Sequence, residues 1–109
     1  MALAQNVFKT ITNVVASSPV GIYTAPVGYS GVVLLASATN VGSSTQTVSF
    51  SHKRDSVTTE VVKTFPIEAS DTANLLSGKL VLESGDVIVL SASSATDVKF
   101  VGSVLETLN

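Results

Sequence analysis

At 109 residues, with 45% apolar and 13% charged side chains, the chain is long enough for one domain with its own core and too short for two. A net charge of −2 and a pI near 5.1 give no basic footprint for nucleic acid, and the absence of cysteine removes disulfide frameworks and thiolate metal sites. No aliphatic run exceeds Val32–Ala36, far short of the roughly 20 residues of a membrane helix. The N-terminus lacks the basic and apolar regions of a signal peptide, so the chain reads as soluble and made in a cytoplasm.

Residues 1–6 show little periodicity and are expected to be a free arm or an extension of the first strand, ahead of a single domain over residues 7–109. Val7–Val15 is rich in β-branched residues with apolar side chains on both parities, which predicts a strand with a bend or bulge that switches faces. Ser17-Ser18-Pro19 ends it. Val20–Ala25 is the next strand, followed by the turn Pro26–Ser30, where Pro26 presets φ and Gly28 can take φ > 0. Gly31–Asn40 opens with the continuous run Val32–Ala36, which predicts burial on both faces or a place between the sheet and a neighbour. Thr45–Lys53 alternates Val48, Phe50 and His52 against a hydroxyl face, and Val57–Phe65 returns as the second arm of a hairpin tipped by Arg54-Asp55. Pro66 is expected to stop that strand, and Ile67–Asn74 to be a crossover with at most one helical turn.

Leu75–Ala92 holds the densest aliphatic cluster. It predicts two core strands, Leu80–Leu82 and Val87–Leu90, around the polar corner Glu83-Ser84-Gly85-Asp86, with Gly85 supplying a positive φ. Asp97–Leu108 alternates as the last strand. About eight short strands at regular spacing, paired antiparallel, predict an all-β, antiparallel β-sandwich, with a jelly roll as one arrangement of it.

Candidate chemistry is sparse. His52 is the only histidine, and with Asp55 to orient it could be a base or metal ligand. Against this, no serine sits in a Gly-x-Ser-x-Gly elbow, and a His-Lys-Arg-Asp hairpin end is ordinarily a solvated turn. The carboxylates are dispersed. Glu83 and Asp86 flank one corner where an ion could sit, but no calcium-loop spacing supports it and turn formation explains both. Sugar platforms lean on exposed aromatics, and here only Tyr23 and Tyr29 flank a turn, Tyr23 reading as core and Tyr29 as exposed. No catalytic, cofactor or metal site is assigned. A charge-poor, hydroxyl-rich surface suits a protein packed among other proteins.

The stretch Ile22-Tyr23-Thr24-Ala25-Pro26-Val27-Gly28, the apolar strand Val32–Thr39, Lys79-Leu80-Val81-Leu82-Glu83-Ser84-Gly85-Asp86-Val87-Ile88-Val89 and the closing Ser103-Val104-Leu105-Glu106 resemble small β-rich virion proteins of tailed bacteriophages, of the kind frequent in marine and cyanobacterial phages. The likeness spans about Ile22 to Glu106 and rests on turns and strands, with no catalytic residue in the pattern. It implies a structural virion protein in multiple copies, a capsid decoration or cement protein on the major capsid protein shell, or a tail, neck or baseplate component. A receptor- or glycan-binding sandwich is the remaining reading. No nucleic acid or membrane is expected as partner. The expected contact elements are the arm Met1, Ala2, Leu3, Ala4, Gln5 and Asn6, and the hairpin tip His52, Lys53, Arg54 and Asp55.

Overall fold

The computed structural model describes residues 5–109 and contains strands only: β1 (Asn6–Val14), β2 (Val20–Thr24), β3 (Tyr29–Asn40), β4 (Gln46–Arg54), β5 (Val57–Ile67), β6 (Thr72–Asn74), β7 (Leu80–Leu82), β8 (Val87–Ala92) and β9 (Val98–Leu108). They form a two-sheet antiparallel sandwich. One sheet runs β1-β9-β3, with β6 and β7 both paired to β3; the other runs β2-β8-β4-β5. Counting β6 and β7 as one interrupted strand gives eight strands in two sheets of four. Sequence neighbours mostly cross between the sheets. Only β4 and β5 pair with each other as a hairpin. The short connections expected to join paired strands are therefore corners between the sheets.

The core lies where alternate residues of both sheets meet. Val33, Ala36, Ala38, Val98, Phe100 and Val104 face Val48, Phe50, Ile88 and Leu90, all buried. Phe50 of β4 stacks on Phe100 of β9 with centroids 6.3 Å apart, joining the sheets at mid-height. Gly102 makes room for that ring, since a Cβ there would stand 2.9 Å from it. Leu75, Leu82, Ile88, Leu90 and Ala92 are buried, so the Leu75–Ala92 stretch is core as expected.

Four local expectations are corrected. The β1–β9 register is unbroken from Asn6↔Thr107 to Val14↔Lys99, so β1 has no bulge. Its apolar residues on both parities reflect outward-facing Phe8 and Val14 instead. A bulge sits instead in β3, between Val33 and Leu35, where the extra residue leaves Leu34 and Leu35 exposed rather than buried on a second face. β5 continues through Pro66 to Ile67, because on an edge strand a missing N–H can face solvent. Thr72–Asn74 is strand β6, entered through Ser70 at φ 65°, rather than a helical turn.

At one end of the sandwich Asn40 is fully buried as a post. Its Nδ2 donates to the carbonyls of Ser44 (2.8 Å) and Ile67 (2.9 Å), and its Oδ1 accepts from Gly42 N (2.9 Å). These bonds replace the ladder where β3 leaves its sheet.

Candidate assembly surface

At the opposite end the polar corner after β7 is organised on Asp86. Strand alternation puts Val48, Phe50, His52 and Arg54 on one face of β4, graded from core to rim. The β4–β8 register runs out at Lys53↔Val87, which sets Arg54 beside Asp86. Arg54 grips the carboxylate with two bonds, Nε to Oδ1 at 2.9 Å and Nη2 to Oδ2 at 2.7 Å. His52 Nε2 lies 2.9 Å from Oδ2, and Glu83 N donates to the same oxygen at 2.9 Å. Arg54 Nη2 also reaches Glu83 Oε2 at 3.1 Å. Asp86 is 2% exposed. The Arg54 hydrogen bonds outweigh burial and hold its carboxyl well below the usual carboxylate range. Gly85 takes φ 89°, as the corner requires, and Gly85 N and Ala25 N bond across to Ala25 O and Asp86 O, clamping the corner to the end of β2.

A second polar bridge spans the sheets. Glu106 lies on the inward parity of β9 and is 4% exposed. It accepts the Tyr23 phenol of β2 on Oε2 and pairs with Lys9 Nζ of β1 at 3.2 Å on Oε1. Burial first, then the bond to Glu106, pushes the Tyr23 phenol above its ordinary range. Tyr23 is thus a partly buried inter-sheet strut, and Tyr29 is half-buried at the start of β3, so the two do not form an exposed aromatic platform.

These contacts revise the expected hairpin-tip site. His52 and Arg54 are strand residues committed to Asp86, and the orienting carboxylate of His52 is Asp86 rather than Asp55. The turn itself is Asp55-Ser56, with Asp55 at φ 55°. Lys53 points to the outer face beside Ser51 and Glu60. At the Glu83–Asp86 corner the buried carboxylate is filled by Arg54, His52 and an N–H, so it offers a cation no open oxygen. Of the expected arm, Met1, Ala2, Leu3 and Ala4 lie outside the described residues. Gln5 O accepts Leu108 N at 2.8 Å, and Asn6 is the first residue of β1. Glu106 was missed, although an acid on the parity of Val98, Phe100 and Val104 signals a paired buried charge.

The broad surface feature is the outer face of the β1-β9-β3 sheet. The registers Phe8↔Leu105, Leu105↔Val32 and Val32↔Val81 lay four apolar side chains in one row across β1, β9, β3 and β7. Phe8 is 74% and Val81 56% exposed. Further along the same strands, toward the Asn40 end, Val14, Val41, Val101 and Lys99 line an open groove of about 680 Å³. The outer face of the other sheet is polar, with Ser49, Thr58 and Ser91 among Lys53, Glu60 and Lys63.

No protein-family model matches the sequence, and no curated protein matches it. Among solved structures the chain is similar to one in the "Acidic stable capsid structure of Helicobacter pylori bacteriophage KHP30", at 17% identity and TM-score 0.57, over 96% of this chain and 89% of that one. The two share a fold. Looser matches are to a chain of Bacillus endospore appendages, described as disulfide-linked pili (16% identity, TM-score 0.48, 100% and 97% covered), and to a pentameric capsid protein from metagenomic phage sequences (15% identity, TM-score 0.45, 95% of this chain and 62% of that one).

Proposed function

We propose that this chain is a structural protein of a bacteriophage virion and that it decorates and reinforces the capsid shell. The supporting observation is the fold shared end to end with a chain of a phage capsid structure, since 96% and 89% coverage leaves neither chain with a large extra module. It agrees with the turn and strand motifs that resemble tailed-phage virion proteins. Ordering the strands β1-β9-β3-β6/β7 over β2-β8-β4-β5, we read the sandwich as a jelly roll with its sixth strand split.

The mechanism is mechanical. The titratable groups that come together, Asp86 with Arg54 and His52, and Glu106 with Tyr23 and Lys9, close on one another as internal struts. What faces outward is apolar patches and hydroxyls with scattered single charges such as Glu60, Lys63, Lys79 and Lys99, a surface suited to protein contacts. Many copies, each held weakly, reinforce a shell by multivalency. The contact elements are the residues before β1 and the Asp55-Ser56 turn with Lys53 on the adjoining outer face. Copy number in purified particles tests the reading: a shell protein is present in numbers on the order of hundreds, a tail, neck or baseplate protein in tens or fewer. Deleting residues 1–5 leaves β1 whole and is expected to give a folded domain that no longer incorporates.

A further inference from the structure

The open sheet edges differ sharply in how they are guarded. β5 is irregular at two places against β4, has Thr64 at φ 48°, and carries Glu60, Lys63 and Pro66. β2 is five residues long with an irregularity at Gly21/Tyr23, and β6 and β7 are three residues each. Bulges, charges, proline and shortness are the usual devices against strand addition. β1 has nine residues in unbroken register, no proline and one charge. That charge, Lys9, is turned back onto Glu106 and does not project over the edge.

The backbone polarity of β1 follows from two bonds. Leu108 N donates to Gln5 O, and Val15 N donates to Val98 O, so odd-numbered residues face β9. By antiparallel alternation, the N–H and C=O groups of Asn6, Phe8, Thr10, Thr12 and Val14 face the open edge. Two β1 edges related by a two-fold axis pair only when these even residues oppose one another. One such register matches every pair by chemistry: Phe8 opposite Val14, Lys9 opposite Asn13, Thr10 opposite Thr12, and Ile11 opposite itself on the axis. Shifting by one allowed step sets Asn6 against Val14, Val7 against Asn13, Phe8 against Thr12 and Lys9 against Ile11, mismatching each. In the matched register, exposed Phe8 and Val14 cover each other.

We propose that β1 pairs with β1 of a second copy in this register, merging the two β1-β9-β3 sheets across a two-fold axis. The pairing consumes both edges, so it closes at a dimer and does not propagate. It deepens the assembly reading above and rests on it for its use in a particle, but its geometry stands alone.

Sedimentation of the purified chain from micromolar to near-millimolar concentration tests it. A monomer–dimer equilibrium is expected, weakened at least about tenfold by Thr10→Pro, whose lost N–H faces outward and leaves the β9 ladder intact. Should that variant not fold, Thr10→Lys with Thr12→Lys places like charges opposite across the axis on exposed side chains and has the same effect. Ile11→Cys, in a chain without cysteine, is expected to oxidise to a disulfide dimer, because a non-hydrogen-bonded pair sits about 4.5 Å apart at Cα. Thr10→Cys is expected to stay reduced. A chain that remains monomeric throughout, or dimerises regardless of these changes, overturns the inference. So does a monomer whose incorporation into particles Thr10→Pro blocks, which assigns the edge to a different virion protein. A monomer that still incorporates at high copy number overturns the inference while leaving the shell role standing.

Discussion

Asp86 is the side chain on which most of one end of the molecule depends. Asp86→Asn keeps the shape but removes the charge that Arg54 and His52 share, and is expected to destabilise by about 1–3 kcal/mol, the lower half of that range being favoured by the half-exposed Arg54. The folded carboxyl titrates below its unfolded value, so its stabilisation is complete above the ordinary carboxylate range near pH 4 and drains only in stronger acid. Urea midpoints of the two proteins should therefore differ at pH 7, stay apart down to about pH 4, and converge below it. Tyr23 has the opposite sign. Its phenol is raised, so the Tyr23–Glu106 strut holds through the ordinary tyrosine range near pH 10 and fails above it. Absorbance titration should show a tyrosine that ionises late, and Tyr23→Phe should abolish that phase. Asn40→Ala leaves the buried Ile67 carbonyl and the part-buried Ser44 carbonyl without this donor and is expected to cost about 2 kcal/mol, measurable by thermal or urea unfolding.

At the scale of elements, periodicity exposed most of the strands, because alternating burial leaves a period of two in the sequence. Val98, Phe100, Gly102 and Val104 show it in β9, and Val48 and Phe50 in β4. What failed was local and has identifiable causes. A bulge adds one residue to one strand and nothing to the composition, so Val32–Ala36 looked doubly buried when Leu34 and Leu35 are thrown outward by the extra residue. Pro66 looked like a stop because edge position is a property of the sheet, not of the strand. Thr72–Asn74 is too short to carry a pattern and is strand only because β3 pairs with it. The corner Glu83–Asp86 was legible as a turn with Gly85 at positive φ, but its partners were not: Asp86 meets residues 32 and 34 positions away. The hairpin tip read as a solvated contact site for the same reason, since the partner of His52 and Arg54 lies on another strand.

On the scale of the whole molecule, the first and last strands lie side by side, Asn6 against Thr107, with β9 between β1 and β3. Most pairings are non-local, so folding is expected on the millisecond-to-second scale typical of such topologies, as stopped-flow refolding would show. The internal charges are paired within the fold, and the exposed Phe8, Val81 and Val101 lie on one sheet face beside an unguarded edge. Polar struts inside, with exposed apolar side chains and an open backbone edge on one sheet, are consistent with the proposed use as a building part in many copies. The most direct test of that role is the number of copies of this chain in purified particles, by quantitative mass spectrometry or imaging. A shell protein gives a count on the order of hundreds, at a scale where multivalent reinforcement operates. A count of a few to tens, or none, contradicts it.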